Sequence, residues 1–172
     1  MKEVLILMAQ YNLETDDEMM NIVYQIPDEK FFGEVGVYYK SLHGILNHII
    51  LVNLLWMRRI TKQFNEFSEV THKYKGIDFA GLKNIVFTEK VDLKANLLDT
   101  DKDLKEICDK MGSNTLIKSL NYKNTKGEER SKVMWHVFMH IFNHATHHRG
   151  QISALLDQFN MDNDYSNLIW KV

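Results

Sequence analysis

Apolar residues recur at helical spacing along most of this chain. Leu5, Met8, Leu13, Met19 and Val23 mark one amphipathic segment over roughly residues 2–24, and a second, richer in apolar side chains, covers roughly 36–63. Leu97, Leu104, Ile107 and Met111 mark a third over about 93–112, with Gly112 placed to cap its C-terminus. The fourth runs over about 131–159. Between the third and fourth lies TLIKSLNYKNTKGEER. There Leu116, Ile117, Leu120 and Tyr122 precede Asn-Thr-Lys-Gly, which predicts a short β-hairpin or extended arm turning near Asn124 to Gly127. The stretch 64–92 has no clean period. It sets Phe79, Leu82 and Phe87 among charges, and a short helix near 78–84 is the one element expected in it. The pattern predicts an all-α bundle of four long helices with an arm before the last.

Composition supports that reading. A single proline and eight glycines in 172 residues favour long helices over many short strands. The length suits one domain over residues 1–172, and a hydrophobic share of 45% is enough for a substantial core. No internal repeat or linker divides the chain. A formal net charge of −2 gives no electrostatic reason to expect nucleic acid as a partner. One cysteine, Cys108, excludes an internal disulfide, and on an apolar helix face it reads as packing rather than a nucleophile. The start, MKEVLILMAQYN, lacks the apolar core and cleavage site of a signal peptide. The most apolar run, ILNHIILVNLLWM at 45–57, falls short of the roughly 18 residues of a membrane span. The expected location is therefore the cytoplasm, with no membrane association.

Candidate chemistry lies in the histidines. There are eight, and five fall in HVFMHIFNHATHHRGQ, within 136–148. His136–His140, His140–His144 and His144–His148 are all i, i+4 pairs that share a helix face. With His140 at zero and about 100° per residue, Val137 and Leu155 fall near 60°, Ile141 and Phe159 near 100° and Ile152 near 120°. His148, near 80°, points into this apolar face, and His144, near 40°, sits beside it. His140, His147 near −20° and His136 near −40° lie at the rim. Two imidazoles aimed into a core are costly unless satisfied, and a metal ion satisfies them well; a hydrogen-bonded polar cluster is the other reading. A third ligand should come from another helix. In LHGILNHIILVNLLWMRRI, His48 is flanked by Ile45, Val52, Leu55 and Trp56, whereas His43 falls with Asn47 and Arg58, which places it on the outer face. His48 is the better candidate.

At this point the chain resembles the DinB-like (DinB/YfiT) family. The resemblance rests on LNHIILVNLLWMRR, with His48 followed by Trp56, and on HIFNHATHHRGQ with Gln151 and its apolar continuation. The arm LNYKNTKGEE and the ending LDQFNMDNDYSNLIW also look like the family's. The likeness covers most of the chain and is weakest over 64–92. It implies a four-helix bundle, often a homodimer, with a metal site whose ligands fall on His48, His144 and His148. That set agrees with the choice made from helix geometry. A variable position at His147 fits a residue that is not a ligand. Family members of known activity are metal-dependent, thiol-linked transferases or isomerases.

Three protein histidines leave a position open for water or substrate. The expected cofactor is one divalent metal ion, zinc or nickel first, with iron and manganese also accepting imidazole. The expected function is a metal-dependent enzyme, a thiol transferase or a hydrolase. It would activate a low-molecular-weight thiol or water for a small electrophilic substrate. Its catalytic residues are unassigned. The rivals are a non-catalytic, metal-stabilised binding module and a stress-response interaction module. HExxH chemistry needs a glutamate where Ala145 stands. Di-iron bundles need two Glu-x-x-His motifs, and only Glu69–His72 is present, outside the predicted long helices. An iron site of two histidines and a carboxylate from helix one stays open. Arg149 reads as a salt bridge or dimer contact and Gly150 as a close approach of another helix. Gln151, near 20°, joins His140 and His147 as a candidate support for the ligands, and Trp56 and Trp135 read as core or interface.

Overall fold

The computed structural model describes residues 1–70 and 81–171. Among them the protein is mostly helical, with one two-stranded antiparallel sheet ahead of the last long helix. The long helices are α1 (Lys2–Val23), α3 (Leu42–Gln63), α4 (Lys90–Lys110) and α6 (Met134–Gln158). Short helices α2 (Asp28–Phe32) and α5 (Ser113–Leu116) lie between them. Helix α1 packs on α4 and α6, and α3 packs on the same two. The faces they bury supply a continuous core, including Met19 and Met20, Ile45 and Ile49, Leu97 and Leu104, and Phe138 and Ile152. No helix is long and apolar enough to cross a membrane among the described residues.

The second long helix starts at Leu42, not at 36. Ser41 is extended (φ −141°, ψ 170°), and its hydroxyl accepts the Gly44 N–H at 3.1 Å, an N-cap that fixes the start. Upstream, Gly36 and Lys40 have positive φ and Val37 bridges to Lys40, so residues 36–40 form a tight turn. At the end of α4 the expected glycine cap is absent. Met111 and Gly112 (φ −75°, ψ 154°) are both extended and lead into α5. The hairpin is shorter than its apolar residues suggested: Leu116 ends α5 and Ile117 follows it. The strands are β1 (Ser119–Lys123) and β2 (Glu129–Val133), paired Ser119 to Val133. Its turn falls where the sequence put it. Gly127 has φ 80°, and the Asn124 side chain accepts the Lys126 and Glu128 N–H groups at 2.9 and 3.0 Å. Of the helix expected near 78–84, residues 78–80, like Phe79 and His72, lie outside the described residues, and 81–84 form a turn.

Arg149 forms the expected salt bridge, but inside the protein. It is 2% exposed and donates to Asn12 Oδ1 at 2.6 Å and Asp16 Oδ1 at 3.0 Å, while Asn12 Nδ2 donates to Asp101 Oδ1 at 2.7 Å. This chain of bonds ties α6 to α1 and α4. Gly150 is exposed, and a Cβ added there would meet nothing within 4 Å among the described residues, so no described helix packs against it. Gly150→Ala is expected to stabilise the protein by about 0.5–1 kcal/mol by lowering the entropy lost in the helix. Chemical denaturation at constant m-value would measure it.

Candidate metal centre

His48 projects from α3, while His144 and His148 lie one turn apart on α6; α3 and α6 are packed together. Their ligating atoms converge. The His144 Nε2 lies 3.1 Å from His48 Nε2 and 3.0 Å from His148 Nε2. A neutral imidazole carries one proton, and two of these rings have theirs engaged elsewhere. His48 Nδ1 is 2.9 Å from the Leu82 carbonyl oxygen, which can only accept. His148 Nδ1 is 2.8 Å from Gln151 Oε1. Both Nε2 atoms therefore present lone pairs to the same point. His144 can offer an N–H to one of them and the Tyr39 hydroxyl serves the other at 2.9 Å, while His144 Nδ1 is buried without a partner among the described residues. Hydrogen bonding leaves one ring nitrogen of the cluster unpaired.

A cation at the shared point would satisfy the convergence by taking up all three Nε2 lone pairs at once. Nitrogens bound at about 2.0–2.1 Å in tetrahedral geometry sit about 3.3–3.4 Å apart, close to the separations here. Protonation does not resolve it. Burial, followed by the neighbouring His148 and His48, pushes His144 down to about 3, and burial pushes His148 down to about 4. Burial lowers His48 as well, though the Leu82 carbonyl opposes the shift. All three rings stay neutral at physiological pH, the state that ligation requires. Among the described residues these three form the one group of histidines, cysteines and carboxylates close enough to hold a metal ion.

The other predicted residues lie around this point. Gln151 supports His148 directly. His140 is exposed, with its ring 6.1 Å from His144 and 5.5 Å from Trp56. His147 is exposed beside the His148 ring at 4.9 Å, and His136 lies against Trp135. Trp56 anchors the hairpin, because the Arg59 guanidinium lies over both Trp56 and Tyr122 and donates to the Lys123 carbonyl at 2.8 Å. His43 stays out of the cluster, but it is not on an open outer face. Helix α2 lays Phe31 and Phe32 against its ring, and its Nε2 meets the Phe87 carbonyl at 2.8 Å. The helical wheel carries no information on such cover.

Three contributors were not legible as site residues. Tyr39 stacks on His48, with centroids 4.1 Å apart and planes 20° from parallel, and its hydroxyl donates to His48 Nε2 at 2.9 Å. Burial, then Tyr38, pushes its phenol upward. Gly44, one turn before His48, makes room for it: a Cβ there would stand 2.0 Å from the Tyr39 carbonyl oxygen. Asn47 is fully buried and pins the segment that supports His48. Its Oδ1 accepts the Val86 and Phe87 N–H groups, each at 2.9 Å, and its Nδ2 donates to the Phe87 carbonyl at 3.0 Å. The glycine in LHGILNH was the available signal for Tyr39.

Fold and site together define a mostly helical protein with a small hairpin before its last helix and a three-histidine cluster able to hold a divalent cation. The chain belongs to the DinB family: the DinB family model matches residues 1–160, in agreement with the resemblance read from the sequence. It is similar to the protein named Protein DinB of Bacillus subtilis (strain 168), with 24% identity over 150 residues that cover 87% of this chain and 82% of that one. No solved structure matches it.

Proposed function

We propose that this protein is a metal-dependent enzyme of the four-helix-bundle type, in which His48, His144 and His148 hold one divalent ion, zinc or nickel first. The observation that carries the proposal is the convergence of two committed Nε2 lone pairs on a third imidazole nitrogen at 3.0 and 3.1 Å. A cation held there lowers the pKa of a bound thiol or water and supplies a nucleophile at neutral pH. The chain's own groups prepare the site: the Leu82 carbonyl and Gln151 hold the tautomers and aim the rings, and burial keeps them neutral. In the favoured reaction a small thiol gives up its proton and its sulfur bonds an electrophilic carbon, whose leaving group departs. Hydrolysis at the same position is the second chemistry.

The test uses protein purified without a histidine tag, stripped by chelator and reloaded with zinc or nickel. Conjugation of a small thiol to an electrophile, or hydrolysis, should appear with one equivalent of metal and vanish on stripping. Turnover by neither route at full occupancy would leave the non-catalytic, metal-stabilised module as the function. Gln151→Leu should keep the fold but weaken zinc binding by about 10-fold or more, since it frees the His148 ring. Competition with a chromophoric chelator reads that change.

A further inference from the structure

We propose that the Tyr39 hydroxyl is the hydrogen-bond donor that holds the incoming anionic atom, thiolate sulfur or hydroxide oxygen, at the open position of the three-histidine site. This rests on the metal-binding function proposed above. The phenol is placed with care. Its loop is closed by the Val35 N–H to the Lys40 carbonyl and the Lys40 N–H to the Val37 carbonyl, both at 2.8 Å. Lys40 accepts a positive φ of 71° at the end of that turn. The Tyr39 backbone then rests on Gly44, where any larger residue would collide with it. These features deliver the ring flat onto His48 and its oxygen to Nε2, the atom whose lone pair faces the shared point.

In this structure that lone pair is the hydroxyl's acceptor. Once it is committed to a cation, the hydroxyl must find another acceptor beside His48 Nε2, and the atom filling the open position is the one the site provides. Tyr39 also lines, with Phe32, His43 and Lys83, a cavity of about 460 Å³, a space of the size that small ligands use. A tyrosine needed only to pack on His48 would require its ring and not its oxygen.

Tyr39→Phe separates the two roles, since it keeps the stack and removes one oxygen. The measurements are cobalt(II) affinity and, on the cobalt-loaded protein, 2-mercaptoethanol affinity read from the thiolate-to-cobalt charge-transfer absorption. The variant should bind cobalt as tightly as wild type or more tightly, because a competitor for the His48 lone pair is gone. Its thiol affinity should fall about 10-fold or more, the value of a hydrogen bond to a charged acceptor. A tenfold loss of cobalt affinity would overturn the proposal and make the phenol itself a ligand. Unchanged thiol affinity would overturn it by reducing Tyr39 to packing. Wild type that takes up no cobalt would overturn the metal reading and this proposal with it, whereas the first two results leave the metal reading intact.

Discussion

Replacing both His144 and His148 with alanine is expected to abolish stoichiometric metal binding while the helices remain. Two of the three converging nitrogens disappear, and a lone His48 offers one donor, too few for a site of useful affinity. The fold is expected to survive the loss of these rings. The core residues of the same helix, among them Ile141, Phe142 and Ile152, are apolar and buried, and the substitution leaves them in place. The loss should also appear in thermal unfolding. For wild type, metal at 100 times its dissociation constant adds about 2.7 kcal/mol of stability. At about 2–4 °C per kcal/mol for a chain of this size, that is a rise of about 5–11 °C. The double variant should show no metal-dependent rise and no bound equivalent by elemental analysis. Wild type without bound metal after loading with zinc, nickel, iron or manganese would mean that the rings form a polar cluster instead.

The sequence carried the long helices and the histidine cluster because both depend on periodicity. His144 and His148 share one helix and His48 lies on the apolar side of another, so a helical wheel brings them toward the same interior. Whatever depends on non-periodic chain was lost. The turn over residues 36–40 was absorbed into a helix because its composition does not contradict one; only Ser41 as a cap and Gly44 as a gap mark the true start. Tyr39, delivered by that turn, was therefore missed. Leu82 contributes a backbone carbonyl, which no side-chain pattern encodes. His43 and Gly150 went wrong for opposite reasons. The first is covered by chain distant in sequence, Phe31 and the Phe87 carbonyl, and the second is left bare where a mid-helix glycine suggested contact.

Arg149→Met is expected to destabilise the protein by about 3–5 kcal/mol, since it leaves a buried charge without its partner. Arg149 and Asp16 are 2% and 1% exposed, and their ion pair spans 3.0 Å between α6 and α1. Met fills most of the arginine's volume, so the cost falls on Asp16 and on the Asn12 oxygen that also loses its donor. That cost is a large part of the about 5–15 kcal/mol by which domains are stable, and denaturant titration would resolve it easily. Asp101 should behave in the opposite way. Burial, and then the nearby Asp16 carboxylate, push its carboxyl well above the usual range. A carboxyl whose pKa is raised on folding supports the folded state at low pH and loses that contribution as pH rises through the folded value. Asp101→Asn removes the proton-dependent group and keeps an oxygen to accept from Asn12 Nδ2, so it should cost little at neutral pH and flatten the pH dependence of stability. If Asp101→Asn is as damaging as Arg149→Met, both carboxylates are charged in the folded protein and Arg149 serves the two together. If it is mild, the network is a single ion pair beside a neutral acid, and Arg149–Asp16 is the bond that holds the histidine-bearing helix in register against α1.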